Sequence, residues 1–244
     1  MEQGDGRPVI GVMMGDPAGI GPEVALKAVT DARVREACRT LLVGSPDVLG
    51  CTVERLGLEV RLVTVAEEAI AAYSWDDSAV VPVVASAGNA DAIPIGQVSA
   101  VSGAAAADAI RAGFRLARQG CVGALVMAPL TKESLALAEG YPSEFELFAA
   151  LTGVEEVRAA IAWRDLVRIT VTEHLAFRNI LARLTPERIV TAAVQLEDVM
   201  RGLGMAEPRL AVAALNPHGG EGGLFGDEER TVIAPAVETL AERG

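Results

Sequence analysis

The chain has 244 residues, of which 51% are hydrophobic and 22% charged, a balance that argues against disorder and suffices for one large or two modest domains. Asp and Glu number 33 against 21 Lys and Arg, so the formal charge is 21 − 33 = −12, which makes nucleic acid and anionic membrane surfaces poor partners. No apolar run is long enough to span a bilayer, and Met1–Gly6 has neither the basic flank nor the apolar core of a secretory leader, so a cytoplasmic protein is expected. Cys38, Cys51 and Cys121 are far apart and form no CxxC; they read as reduced, partly buried small residues.

Aromatic residues are only 4%, while Ala, Val, Leu and Gly abound, as suits a parallel sheet between Ala-rich helices. In chain order, Pro8–Met14 predicts a buried strand, followed by a glycine-rich turn and a helix from Glu23 to about Val29, with Pro22 at its first turn. Leu41–Gly44 predicts a strand, and Ser45-Pro46-Asp47 a helix start. Val60–Val65 and Val80–Val84 predict further strands, Ser99–Arg118 a long helix, and Ala124–Met127 another strand. Beyond it, Leu147–Leu184 predicts a strand–helix passage, with a strand over Leu166–Thr172 and a helix over Ala176–Leu184. Pro186–Leu203 predicts a helix, Leu210–Leu215 a strand and Glu228–Glu242 a helix. Alternation of this kind predicts an α/β fold, here with domains 1–127 and 128–244.

Candidate site residues cluster where strands end, the place where open α/β sheets hold ligands. Gly15, Asp16, Gly19 and Gly21 lie between the first strand and its helix. Their spacing is neither G-x-G-x-x-G nor a P-loop; it fits a tight turn or an anion-facing loop equally well. Lys132 follows the strand Ala124–Met127, either as a solvated lysine or as a charge directed into a cleft. Gly140-Tyr141-Pro142-Ser143 reads by itself as a turn with Tyr141 in ordinary packing. His174 and His218, the only two histidines, both follow predicted strands. As metal ligands they would need a third partner, from a carboxylate or another chain.

Met14-Gly15-Asp16-Pro17-Ala18-Gly19-Ile20-Gly21-Pro22-Glu23 resembles the N-terminal signature of the 4-hydroxythreonine-4-phosphate dehydrogenase family of pyridoxal phosphate biosynthesis. Ala128-Pro129-Leu130-Thr131-Lys132, Thr172-Glu173-His174-Leu175-Ala176-Phe177-Arg178 and Leu215-Asn216-Pro217-His218-Gly219-Gly220-Glu221-Gly222 resemble later segments of that family, in its order. The resemblance implies two α/β/α domains of the isocitrate/isopropylmalate dehydrogenase type and a homodimer with a shared site. It implies oxidation of a secondary alcohol of a small-molecule substrate by NAD or NADP. The β-keto acid product then loses CO2, aided by a divalent metal (Zn, Mn, Mg or Co). By the same resemblance His174 and His218 ligate the metal, Lys132 is catalytic, and Gly15, Asp16, Gly19, Gly21 and Asn216 lie on the cofactor side.

Two departures shape the expectation. The phosphate-using members carry Gly-His-Thr-Glu in the substrate loop, whereas Gly140-Tyr141-Pro142-Ser143 is similar to the loop of the terephthalate cis-dihydrodiol dehydrogenase branch. Tyr141 and Pro142 thus point to a non-phosphorylated, carboxylated dihydrodiol, with 4-hydroxythreonine 4-phosphate as the alternative. Family members also continue beyond the position of Gly244 with a third metal histidine. A C-terminally truncated fold, and an inactive paralogue as a further alternative, are therefore expected as well.

Overall fold

Residues 6–155, 157–173 and 175–243 are described in the computed structural model of the chain. Two compact units are present, Met1–Glu155 and Glu156–Gly244.

The first unit grows from the apolar runs. Strands β1 (Val9–Met13), β2 (Arg39–Gly44), β3 (Arg61–Thr64), β4 (Val80–Ala85) and β5 (Ala124–Met127) form a parallel sheet in the order β3-β4-β2-β1-β5. Alternate side chains go to opposite faces. Val12, Leu42, Val81 and Val83 join one core with Leu26 and Val29 of helix α1 (Gly21–Thr30) and Leu49 of α3 (Pro46–Leu56). Met13, Leu41, Val43 and Val84 join another with Ile110 and Leu116 of α4 (Ala100–Arg118), Leu135 of α5 (Lys132–Glu139) and Leu147 of α6 (Glu144–Thr152). Burying each such Leu or Ile contributes about 1.5–3 kcal/mol. The short α2 (Ala32–Ala37) precedes β2.

Local chemistry sets the helix starts. Ser45 Oγ accepts from Val48 N, Ser99 Oγ from Ser102 N, and Asp31 from Arg33 N, each satisfying a first-turn donor. Asp31 also takes the Arg33 guanidinium at 2.7 Å, and these hydrogen bonds push its carboxyl down to about 2.

The unit boundary falls after Glu155, whereas the sequence reading placed it after Met127. Residues 128–155 stay with the first unit because α5 and α6 pack on α4. A Cβ on Gly103 of α4 would lie 1.9 Å from Ser134 O of α5, so glycine is what lets the two backbones meet. Arg111 of α4 holds Glu139 of α5 through two hydrogen bonds of 3.0 and 2.5 Å, and Phe114 stacks on Phe148 of α6 with centroids 5.2 Å apart.

The second unit contains an antiparallel hairpin, β6 (Ala160–Trp163) with β7 (Leu166–Ile169), and helices α7 (Ile180–Arg183), α8 (Pro186–Gly202) and α9 (Ala234–Ala241). Two expectations fail here. Leu166–Thr172 is a strand only to Ile169, paired with a strand that the sequence reading did not separate from its surroundings. Leu210–Leu215 is not a strand; among the described residues no neighbour offers it a ladder, and Leu210 and Leu215 are exposed. Without a partner, β-propensity alone does not hold an extended segment in a sheet.

Among the described residues no helix is long and apolar enough to cross a membrane. Cys38, Cys51 and Cys121 are free thiols, as expected, although Cys51 is exposed.

Candidate active site

In the first unit the glycine loop leaves β1 and lies against the exit of β5. Gly15 has φ +71°, and a Cβ there would sit 2.4 Å from Pro129 O; one on Gly21 would sit 2.5 Å from Met14 O. Asp16 N donates to Pro129 O at 3.0 Å, tying the two strand exits together. Asp16 itself is buried, and its Oδ1 accepts from Ala18 N at 2.8 Å while its carbonyl accepts from Gly19 N at 3.1 Å. Gly15, Asp16 and Gly21 are therefore engaged in building the turn, and the tight-turn reading accounts for them. What the turn produces is the start of α1, where the N-cap position is Ile20 and no side chain caps the first-turn N–H groups. Such a terminus accepts an anionic group.

Lys132 is the first residue of α5, just beyond Pro129. Its Nζ lies 3.8 Å from Glu144 Oε2, with the lysine side chain 43% exposed and the glutamate 16%. Tyr141 is half-buried against the α4–α5–α6 core, while Pro142 is exposed. The loop holding them is braced at both ends. Arg111 grips Glu139 on one side, and this contact holds the Glu139 carboxyl below its usual range. On the other side Ser143 Oγ caps α6 by accepting from Phe145 N at 3.3 Å and donates to Glu146.

In the second unit His218 sits in a turn of unusual backbone. His218, Gly219, Gly220, Glu221 and Gly222 all have positive φ, from 43° to 79°. The left-handed conformation costs a non-glycine residue about 1–2 kcal/mol, so His218 and Glu221 must be held there. Glu229 supplies the hold. Its Oε1 accepts from Leu215 N at 2.9 Å and Asn216 N at 2.6 Å, and its Oε2 from Asn216 Nδ2 at 2.9 Å. These bonds lower the Glu229 pKa, the Asn216 side chain first among them. Asn216 Nδ2 also donates to Glu228 at 2.7 Å. Asn216 thus serves as the joint between the turn and the carboxylates.

The structure brings Gly15, Asp16, Gly19, Gly21 and Lys132 to neighbouring strand exits in one unit, and Asn216 and His218 to one turn in the other. His174, expected as the second metal histidine, lies outside the described residues. Among the described residues no three His, Cys, Asp or Glu converge in a metal-holding group, so the described set by itself does not fit a metal. Sequence reasoning missed Glu144 and Glu229. The only local signal for either was an acidic residue in a helical first turn.

Comparison with known proteins then places the chain. The family model described as pyridoxal phosphate biosynthetic protein PdxA matches residues 36–244. Over 243 residues the chain is 36% identical to a protein of Symbiobacterium thermophilum described as a D-threonate 4-phosphate dehydrogenase, covering 98% of this chain and 71% of that one. The crystal structure of 4-hydroxythreonine-4-phosphate dehydrogenase from Klebsiella pneumoniae superposes with a TM-score of 0.88 at 34% identity, over 99% of this chain and 73% of that chain. A terephthalate 1,2-cis-dihydrodiol dehydrogenase from Burkholderia xenovorans fits less well, with a TM-score of 0.62 at 27% identity, over 98% of this chain and 71% of that chain. The preference for the dihydrodiol branch, drawn from Tyr141 and Pro142, is thus not supported. The match over residues 36–244 and the 36% identity across nearly the whole chain make this protein a member of the pyridoxal phosphate biosynthetic protein PdxA family.

Proposed function

We propose that the chain is a dehydrogenase acting on the secondary alcohol of a four-carbon hydroxy acid phosphorylated at its fourth carbon. The observation that carries this reading is the agreement between the relatives: 4-hydroxythreonine 4-phosphate and D-threonate 4-phosphate, the substrates in their names, share that skeleton. The two-domain architecture of isocitrate/isopropylmalate dehydrogenase type and a homodimer with a shared site belong to the same proposal. Loss of hydride from an alcohol needs an acceptor, and the proposal names NAD or NADP. His218, together with the His174 that the sequence resemblance names, would hold a divalent metal, which would supply Lewis-acid polarisation of the substrate oxygens.

In this reading the chain's own residues do three things. The uncapped start of α1 presents N–H groups to a phosphoryl group of substrate or cofactor. Lys132 presents an ammonium at the β5 exit, where it can hold an oxygen of the substrate. The turn held by Glu229 presents His218 in a fixed backbone conformation.

The test is reduction of NAD or NADP by the purified chain with Mg, Mn, Zn or Co. 4-Hydroxythreonine 4-phosphate and D-threonate 4-phosphate are compared with terephthalate cis-dihydrodiol. Metal-dependent reduction with either phosphorylated acid, faster than with the dihydrodiol, is the expected result. The opposite order would restore the dihydrodiol reading.

A further inference from the structure

The charge environment of Lys132 separates two roles that a lysine at this position could have. Glu144 is the first residue of α6, where the helix dipole favours a carboxylate. Its Oε2 is buried and makes no hydrogen bond among the described residues; its compensation is the Lys132 ammonium 3.8 Å away. The two side chains face solvent unequally, the lysine 43% exposed and the glutamate 16%. An incoming ligand therefore meets more of the ammonium than of the carboxylate beside it. The Arg111–Glu139 bonds and the Ser143 cap brace the segment that runs from the helix of Lys132 to that of Glu144.

We propose that Glu144 is the built-in counter-charge of Lys132, that it keeps phosphoryl groups off this lysine, and that it leaves the ammonium for the uncharged alcohol oxygen of the substrate. A phosphate dianion approaching Lys132 is attracted by the ammonium and repelled by the carboxylate 3.8 Å from it, and the repulsion offsets a substantial part of the attraction. A neutral hydroxyl oxygen meets no such repulsion and still accepts a hydrogen bond from the ammonium. Glu144 is thus a positioning and specificity residue acting through Lys132. The identity of the substrate rests on the proposed function, but the exclusion of phosphate does not.

Two measurements test this, and one of them needs no activity. Calorimetric titration with inorganic phosphate should show Glu144→Gln binding it about tenfold more tightly than the native chain, a single opposing charge removed at ion-pair distance. Glu144→Asp, which keeps the carboxylate, should return towards native affinity, and adding Lys132→Met to Glu144→Gln should abolish the gain. In turnover, Lys132→Met should lower kcat while leaving KM for the phosphorylated acid within about twofold, the signature of a contact made at the reacting oxygen. Unchanged phosphate affinity in Glu144→Gln, a gain that survives loss of Lys132, or a Lys132→Met defect confined to KM would each overturn the inference. If the native chain reduces no cofactor with either phosphorylated acid while the phosphate titrations behave as described, the substrate assignment fails and the role of Glu144 stands.

Discussion

The first unit covers its sheet on both faces, and Leu26, Leu41, Leu42, Leu49, Ile110 and Leu116 are shielded from solvent. In the second unit the hairpin β6–β7 leaves Ile161, Trp163 and Leu166 exposed, and Phe177 is 90% exposed. Among the described residues its buried apolar side chains are Val167, Ile189, Ala192, Ala193, Met200 and Ala236. A two-stranded ribbon with one long helix cannot bury both its faces, whereas a five-stranded sheet between helices can. The difference matters because the candidate residues of each unit are supported differently. Lys132 and the glycine loop rest on a packed sheet, while the turn of His218 is anchored by three hydrogen bonds that Glu229 accepts from Leu215 and Asn216.

Packing tests should divide the units sharply. Gly103→Ala should have the largest effect, since the new methyl meets the α5 backbone at 1.9 Å; a loss of about 3 kcal/mol or more is expected by denaturant unfolding. Leu26→Ala, in the same unit, should cost about 2–5 kcal/mol. Trp163→Ala in the second unit should change stability by less than about 0.5 kcal/mol, apart from its contact with Arg164 at 4.8 Å. Equal costs for Leu26→Ala and Trp163→Ala would erase the contrast.

A smaller effect reads the strained turn. Glu221 has φ +43°, and replacing it with glycine should stabilise the second unit by about 0.5–1 kcal/mol, the relieved strain less the entropy glycine loses on folding. Destabilisation by Glu221→Gly would mean that the Glu221 side chain holds the turn.

The mildest perturbation is acid. Glu139 and Glu229 both have lowered pKa values, the first from its Arg111 hydrogen bond and the second from Asn216. Depressed carboxyls contribute stability above the ordinary glutamate pKa of about 4.3 and lose it as pH falls through their lower folded values. Between pH 5 and 8 these contributions should therefore be flat. The protection of the Asn216 amide, the slowing of its exchange relative to the intrinsic rate at the same pH, should fall only on acidification below that range, and a fall in protection near neutrality would assign the turn to another group.

The first unit was legible because its signals are local and mutually consistent. β1, β2, β4 and β5 are apolar runs ending near glycine or proline, and Ser45 and Ser99 cap the helices they precede. Leu210–Leu215 has the same apolar look, but a strand also needs a neighbour, which no local pattern reveals. The glycine loop stood out in the sequence, but not the reason for two of its glycines: Gly15 and Gly21 let the backbone approach Pro129. Glu144 and Glu229 were not legible at all. Each gains its meaning from a partner brought near by a turn, Lys132 in one case and Asn216 in the other. Tyr141 packs half-buried against a core that includes residues of α4, far away in sequence, a contact that the local Gly-Tyr-Pro-Ser pattern does not show.

The strand order carries a consequence for how the chain leaves the ribosome. β1 is made first and finds β2 soon after, Val9 pairing with Arg39. Its other neighbour is β5, whose Ala124 pairs with Ile10 only after the whole of α4 has been synthesised. Until then the nascent sheet carries an open, apolar edge in what will become its interior, able to template a neighbouring chain. Closing that edge is a late, long-range step that delays completion of the sheet. Synthesis paused before Ala124 should consequently yield chains that self-associate more than chains released past α5, whose sheet ends on the short β5 instead of on β1.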